Sequence, residues 1–179
     1  LEHAWASDYD KDSCDTYSYN VSKKNIFCTP VENFFSLIDK KKIILPKFNA
    51  FAYGFPCNDF SNVGEHKGVR GKFGPLYSYG VELMNRYNPD WFLAENVSGI
   101  SSANDGEAFK KIIHELRNSG NGYNLIVHKY RFEDYGIPQS RHRIIIVGFN
   151  SRFGKDFFFK VPKPSNKIVT AKEVLIKPY

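Results

Sequence analysis

One cysteine lies where a nucleophile could be held at the end of a buried strand. The segment Gly54-Phe55-Pro56-Cys57-Asn58 closes the apolar run 49–55 and opens a stretch, 56–75, that contains four glycines. Open α/β sheets bind ligands beyond the carboxyl ends of their strands, and a thiolate beside cationic or dipolar groups is a strong nucleophile. The sequence therefore predicts Cys57 as a nucleophile, and a half-buried cysteine in a turn is the alternative.

An acid and two guanidinium groups lie near the ends of two further apolar runs. Glu95 follows the run 91–94, and Arg141 and Arg143 lead into the run 143–149. A carboxyl that is partly out of water can act as a general acid. Side chains two residues apart on a strand lie on one face, so both arginines could hold a carbonyl oxygen, a phosphate or the acid itself. For Glu95 the alternatives are helix capping or a loop salt bridge, and for the arginines the alternative is a solvated basic strand edge.

Short β-type runs alternate with helical patterns along the chain, which is typical of an α/β protein. The glycine-containing stretch 56–75 lacks apolar periodicity and is interpreted as a loop. The hairpin-like turn at Gly136 suggests that the last two strands pair with each other. The predicted strands are 4–8, 25–28, 49–55, 91–94, 124–132 and 143–149, and the predicted helices are 11–19, 31–38, 77–87, 107–117 and 170–176.

Composition restricts the class of protein. A chain of 179 residues with 42% hydrophobic and 25% charged residues has room for one ordinary globular domain. The net charge of +6 suits a polyanionic partner such as DNA or RNA. Three widely spaced cysteines without a C-x-x-C pair disfavour a disulfide framework and a cysteine zinc site. The same cysteine usage leads us to expect an intracellular, reduced protein. No apolar run reaches the length of a membrane span.

The chain resembles the DNA (cytosine-5) methyltransferase family in three motifs that occur in the family's order. They are a proline-cysteine motif at Cys57, an E-N-V motif at Glu95 and a Q-x-R-x-R motif ending at Arg143. The lead-in Tyr135-Gly136-Ile137-Pro138 and the later Pro162-x-Pro164 are similar to that family too. The resemblance implies a Rossmann-like sheet with helices on both faces, as in S-adenosylmethionine-dependent methyltransferases. It also implies double-stranded DNA as the partner and suggests a restriction-modification system.

The resemblance assigns a catalytic role to each of these residues. Cys57 would attack C6 of a cytosine that has left the base stack, as chemistry on a paired base requires. Glu95 would bind and protonate N3 of that cytosine. Arg143, supported by Arg141, would contact the O2 side of the ring and orient the acid and the nucleophile. The loop 61–74 resembles the family's mobile catalytic loop.

The resemblance also implies a binding site for S-adenosylmethionine. Asp8 would bind the ribose hydroxyls from the tip of a strand, as carboxylates do in nucleotide-binding α/β folds, or would simply cap the next helix. Tyr9 would lie against the adenine. Phe55 and Leu76 complete the residues that the resemblance places at the cofactor.

The sequence departs from the family's pattern at both ends. The glycine-rich first motif would precede Leu1, and the target recognition domain would follow Tyr179. We therefore expect a truncated chain, with 1–150 a partial catalytic domain and 151–179 the start of a connection. A missing segment or a complementary chain would supply the first motif. An acidic residue of the third motif is not evident near Cys28, and Asn58 replaces the more frequent glutamine.

Three functions stay open at this level. The leading one is methylation of DNA at C5 of cytosine. An RNA (tRNA) cytosine-5 methyltransferase would share the same catalytic core. A catalytically inactive DNA-binding relative is the third, although such a protein has no chemical need to keep Cys57, Glu95, Arg141 and Arg143 together.

Overall fold

The computed structural model describes residues 1–55, 76–97, 106–165 and 167–175. The chain divides into two compact units, Leu1–Asn49 and Ala50–Tyr179. The predicted loop 56–75, with Cys57 and the stretch 61–74, lies outside the described residues. No helix within the described ranges has the length and apolar character needed to cross a membrane.

The first unit has two β-α pairs whose strands run parallel. Its elements are β1 (Ala6–Asp8), α1 (Lys11–Asn20), β2 (Ile26–Cys28) and α2 (Val31–Asp39). Strands β1 and β2 are parallel, with Asp8 opposite Cys28. Helix α1 begins where the Asp10 side chain accepts a hydrogen bond from the Ser13 N–H, which is ordinary N-capping. The unit packs around Phe34, whose ring is stacked on Trp5 with ring centroids 5.6 Å apart.

The second unit is built on a mixed four-stranded sheet with the order β3-β4-β6-β5. Strand β4 is parallel to β3 and antiparallel to β6, and β6 is antiparallel to β5. A 3-10 helix connects β5 to β6. The elements are β3 (Ala50–Gly54), α3 (Leu76–Tyr87), β4 (Trp91–Val97), α4 (Glu107–Asn118), β5 (Tyr123–Arg131), the 3-10 helices Phe132–Tyr135 and Ser151–Phe153, β6 (His142–Asn150) and α5 (Ala171–Val174).

Side chains along β4 alternate between the two faces of the sheet, and this places Glu95 on the face opposite Phe92. Phe92, Ala94 and Asn96 are buried, whereas Glu95 lies between them and points to the other face. Helix α3 packs against β3 at Gly80, where any side chain would overlap the ring of Tyr53. The apolar residues of α3 and α4 cover the face that carries Phe92, and the Glu95 side chain lies on the opposite face.

The predicted α/β fold is confirmed, and most elements lie within one or two residues of the predicted positions. The expected pairing of the last two strands is confirmed as the β5-β6 ladder. One strand end was predicted wrongly: β4 continues through Glu95 to Val97 instead of ending at Ala94. It continues because β3 pairs with it as far as Glu95 and β6 pairs with it as far as Val97. Of the predicted helix 170–176, Ala171–Val174 is helical after the capping box at Thr170.

Gly148 in β6 offers a test of this packing. A Cβ at this position would overlap the ring of Phe92, which has no exposed surface and lies opposite it in β4. We expect Gly148→Ala to lower the free energy of unfolding by about 1–3 kcal/mol because the core has no space for the methyl group. Urea unfolding measures this loss. Combining it with Phe92→Leu, which removes the overlapping ring atoms, should give a smaller loss than the sum of the two single changes.

Candidate active site

Glu95 lies near the carboxyl end of β4, a central strand of the four-stranded sheet. It pairs with Gly54 of β3 on one side and with Ile145 of β6 on the other. Both ladders fix its backbone, so the direction of its side chain is set by the pleat and not by a loop. The prediction placed Glu95 after a strand. Its position inside one makes it a better-fixed group.

Both predicted arginines converge on the Glu95 carboxyl. Arg143 lies diagonally across from Glu95 in the β4-β6 ladder, a spacing that long side chains can bridge. Its Nε lies 2.6 Å from Oε1 of Glu95, and Nη2 of Arg141 lies 3.8 Å from the same oxygen. The Arg143 N–H is not directed along the short contact, since its buried Nε has no well-formed hydrogen bond. The contact is therefore an ion pair rather than a directed hydrogen bond.

The two arginines differ in how firmly they are fixed. The Arg143 side chain is 19% exposed and that of Arg141 is 43% exposed. Nη1 of Arg143 also donates to the carbonyl oxygen of His142 at 2.8 Å. Arg143 is thus fixed by burial and by its own backbone, whereas Arg141 lies before β6 and can reach solvent. The principal partner of the acid is Arg143.

Space for a ligand remains beside the acid. The Glu95 side chain is 34% exposed, so one side of its carboxyl is open. A Cβ on Gly54 would lie 3.5 Å from Oε2 of Glu95. A side chain at residue 54 would therefore fill the space next to this oxygen, and glycine keeps it accessible.

An asparagine that the sequence analysis did not assign joins β4 to the end of β3. Asn96 is 3% exposed, and its Nδ2 donates to the Phe55 carbonyl oxygen at 2.9 Å. Its Oδ1 accepts a hydrogen bond of 2.7 Å from the Val97 N–H. A polar residue at the buried phase of an otherwise apolar strand was the signal that could have identified it.

A hydrogen bond between two side chains anchors the strand that carries Arg143. Nε2 of His142 lies 2.7 Å from Oε1 of Glu133 in the 3-10 helix, and the Phe132 N–H donates to the Arg141 carbonyl oxygen at 3.0 Å. The hydrogen bond with His142 is the main cause that lowers the pKa of Glu133 from 4.5 to about 2. These contacts fix the chain at Arg141 and at His142, which lies between the two arginines.

The lowered pKa of Glu133 predicts a pH dependence of stability. A carboxyl whose pKa is lower in the folded than in the unfolded state stabilises the fold above the unfolded pKa. That contribution is lost as the pH falls from about 4.5 to about 2. We expect the unfolding free energy of Glu133→Gln to fall less between pH 5 and pH 3 than that of the unchanged chain. Urea titrations at both pH values measure this, and equal losses would contradict the assignment.

The predicted cofactor residues of the first unit lie at the carboxyl end of β1. Asp8 is the last residue of β1, and one of its oxygens accepts the Asp10 N–H at 2.9 Å. Tyr9 follows with 77% of its surface exposed. An exposed carboxyl at the tip of a parallel strand, next to an exposed aromatic ring, fits a ribose and a purine ring. Asp10, not Asp8, caps helix α1.

The remaining predicted site residues are Phe55, Leu76 and Cys57. Phe55 follows β3 and is 7% exposed, with its ring 6.2 Å from that of Tyr77 between centroids. Leu76 is the first residue of α3 and is partly buried. Cys57 lies outside the described residues. The structure thus brings Glu95, Arg141 and Arg143 together, and the roles of all predicted site residues stay predictions.

Comparison with known proteins agrees with this picture. Residues 1–177 match the family described as C-5 cytosine-specific DNA methylase. The chain is 48% identical to the Type II methyltransferase M.BbvI of Brevibacillus brevis over 93% of the chain and 45% of that protein. It is 33% identical to the Type II methyltransferase M.NgoFVII of Neisseria gonorrhoeae over 99% of the chain and 45% of that protein. The chain spans about half the length of these curated relatives.

Solved structures share the fold. A prophage-encoded DNA modification methyltransferase of E. coli matches with a TM-score of 0.67 and 23% identity, over 94% of this chain and 47% of that one. A mutant of Spodoptera frugiperda DNMT2 matches with a TM-score of 0.67 and 17% identity, over 99% of this chain and 53% of that one. The strand arrangement around Glu95 therefore belongs to a fold that known methyltransferases use.

Proposed function

This chain belongs to the C-5 cytosine-specific DNA methylase family, and from that premise we propose that its protein methylates C5 of cytosine in double-stranded DNA. S-adenosylmethionine is the proposed methyl donor. The observation that carries the proposal is the Glu95 carboxyl, which two arginines hold beside an open space at the edge of the sheet. The strand next to it leads, within three residues, to Cys57.

The reaction proceeds by addition and elimination on the cytosine ring. The Cys57 sulfur forms a bond to C6 of a cytosine rotated out of the duplex, and the C5–C6 electron pair moves toward C5. Glu95 donates a proton to N3, which relieves the negative charge on the ring. After C5 has bonded to the methyl group, loss of the C5 proton restores the double bond and breaks the S–C6 bond. The N3 proton returns to Glu95, so both side chains are regenerated.

Covalent geometry supports the required proximity of thiol and carboxyl. Gly54 and Glu95 are ladder partners, and neighbouring strands lie about 4.8 Å apart. Cys57 is three residues beyond Gly54, and each residue adds at most about 3.8 Å. The strand end from which the chain continues toward Cys57 is therefore a direct neighbour of Glu95.

The two arginines orient the Glu95 carboxyl and the target cytosine. Arg143 holds one carboxyl oxygen of Glu95 and leaves the other beside the open space at Gly54. In that geometry the second oxygen faces the N3 edge of the cytosine while the guanidinium of Arg143 faces its O2. The planar fork of arginine suits such a shared contact better than the point charge of lysine.

The cofactor-binding residues are proposed one by one from the family resemblance. Asp8 would accept the ribose hydroxyls with the carboxyl at the tip of β1, and Tyr9 would cover the adenine. Phe55 and Leu76 would contact the same cofactor. When bound, S-adenosylmethionine supplies an electrophilic methyl group. The net charge of +6 favours a polyanionic substrate, and the Type II names of the relatives favour a restriction-modification role.

Trapping tests the proposal directly. The intact protein that carries this chain would be incubated with S-adenosylmethionine and duplex DNA containing 5-fluorocytosine, whose C5 fluorine cannot leave as a proton. We expect a covalent protein-DNA adduct that survives denaturation. Single-stranded and transfer RNA with the same base analogue are the comparison, and adducts with RNA alone would contradict DNA as the substrate. Absence of any adduct in the presence of methyl donor would contradict the mechanism.

A further inference from the structure

Two cysteines of the first unit hold their sulfur atoms against consecutive backbone carbonyl groups. The Cys14 thiol donates to the Asp8 carbonyl oxygen at 3.6 Å, and the Cys28 thiol donates to the Tyr9 carbonyl oxygen at 3.9 Å. Cys14 belongs to α1, whereas Cys28 is the last residue of β2. Two different elements thus bring their thiols to one point of the chain, at the end of β1.

The backbone around these thiols is fixed by the β1-β2 ladder. Asp8 and Cys28 are partners in this ladder, and paired strands lie about 4.8 Å apart. The Thr29 N–H donates at 2.8 Å to the same Asp8 carbonyl oxygen that accepts the Cys14 thiol. The oxygen that Cys14 contacts is therefore also bonded to the residue directly after Cys28.

The two thiols are close enough to influence each other. Burial and then the neighbouring Cys28 thiol raise the pKa of Cys14 to about 11. Ionisable groups affect one another strongly in this way within about 4–6 Å. Cys28 lies at the exposed end of a strand, so its side chain can turn toward Cys14 without displacing a core residue.

The two cysteines differ in their access to solvent. Cys28 is exposed, whereas Cys14 is only 5% exposed. Of the two, a dissolved reagent therefore reaches Cys28, and Cys14 is placed to react with whatever forms there. An accessible cysteine beside a second, resolving cysteine is the usual arrangement of a redox-sensitive site.

We propose that Cys14 and Cys28 form a reversible disulfide by exchange with small disulfides such as glutathione disulfide. The Cys28 thiolate attacks one sulfur of the small disulfide, which gives a mixed disulfide and releases one small thiolate. The Cys14 sulfur, after loss of its proton, then attacks the Cys28 sulfur and releases the second small thiolate. The released thiolates take up the protons that the cysteines lose, so the cysteine pair is oxidised and the small disulfide is reduced.

The bond would lie beside residues that have another proposed role. Asp8 and Tyr9, whose carbonyl oxygens accept the two thiols, are also the residues proposed to bind ribose and adenine. In a reducing compartment such a disulfide is transient and forms in response to oxidants. The inference itself is independent of the proposed function, because it concerns only thiols of the first unit.

Peptide mapping tests the proposal without DNA or cofactor. The intact protein that carries this chain would be reduced, freed of reductant and incubated with excess glutathione disulfide at mildly alkaline pH. Free thiols would then be blocked with N-ethylmaleimide before digestion with trypsin, which places the three cysteines in the separate peptides 12–23, 25–40 and 48–67. We expect peptides 12–23 and 25–40 to be joined, at a mass two hydrogens below their sum, and to separate when dithiothreitol is added.

Serine variants assign the roles of the two sulfurs. In Cys14→Ser the mixed disulfide at Cys28 should persist at least about ten-fold longer than in the unchanged chain, because no neighbouring thiol displaces it. In Cys28→Ser the Cys14 thiol should stay free, and Cys57→Ser should leave the bond between Cys14 and Cys28 unchanged. If a serine variant does not fold, a time course on the unchanged chain should show the mixed disulfide at Cys28 first and the joined peptides afterwards.

Three results would overturn the proposal. The first is a mixed disulfide at Cys28 that is never resolved in the unchanged chain. The second is joining of Cys28 to Cys57 instead of Cys14. The third is a bond between Cys14 and Cys28 that forms only after the protein has been unfolded in urea, since the proposal depends on the folded arrangement of α1 and β2.

Discussion

Cys57→Ser is expected to lower methyl transfer to duplex DNA by on the order of 10³-fold or more. A hydroxyl is far less acidic and far less nucleophilic than a thiol, and the mechanism requires the attacking atom to form and later break a bond to C6. Single-turnover transfer of labelled methyl groups under saturating DNA measures the loss. Binding of DNA should be nearly unchanged, because serine differs from cysteine by a single atom of similar size.

The remaining cysteines provide the controls for this prediction. Cys28 is exposed, so Cys28→Ser should leave the rate within about two-fold. Burial raises the pKa of the Cys14 thiol to about 11, which keeps it protonated and unreactive at neutral pH. Alkylation at neutral pH should therefore inactivate the protein through Cys57 and spare Cys14. An adduct that survives Cys57→Ser, or equal rates for the two serine variants, would contradict the assignment of the nucleophile.

The fold was largely predictable because its signals are local. Strand β3 is a short apolar run closed by Gly54, and α4 follows an apolar repeat of helical period whose inner residues are Ile112 and Leu116. Such periodicities follow from backbone geometry alone. The antiparallel partner of β6 could also be inferred, since one compact turn with Gly136 in the left-handed region joins the two strands.

What could not be predicted depends on contacts between distant strands. The extension of β4 through Glu95 to Val97 requires the ladders of both neighbours, which no local pattern reveals. The Asn96 side chain donates a hydrogen bond to a carbonyl 41 residues away. The proximity of Arg143 to Glu95 was expected from the family resemblance, but its short 2.6 Å contact and its burial relative to Arg141 come from the β4-β6 register. These are tertiary effects that override local propensity.

Glu95→Gln is expected to lower kcat by about 10²- to 10⁴-fold, the range that general acid catalysis contributes. Glutamine keeps the size of the side chain and can still form a hydrogen bond, but it cannot supply a proton to N3. It also removes the negative charge that holds Arg143. The rate of adduct formation with 5-fluorocytosine DNA should therefore fall together with methyl transfer, since protonation assists the attack of Cys57 and not the later methyl step.

Glu133→Gln is the matched control, because it removes a carboxyl that is also paired with a neighbour at the start of β6. It should leave kcat within about three-fold, since Glu133 holds His142 rather than the substrate. The kcat of Arg143→Lys should lie between those of Glu95→Gln and Glu133→Gln. Lysine keeps the charge but cannot hold Glu95 and a carbonyl oxygen with one planar group. Arg141→Lys should lower kcat less than Arg143→Lys does, because the contact of Arg141 with Glu95 is longer and more exposed. Equal rates for Glu95→Gln and Glu133→Gln would remove Glu95 from the chemistry.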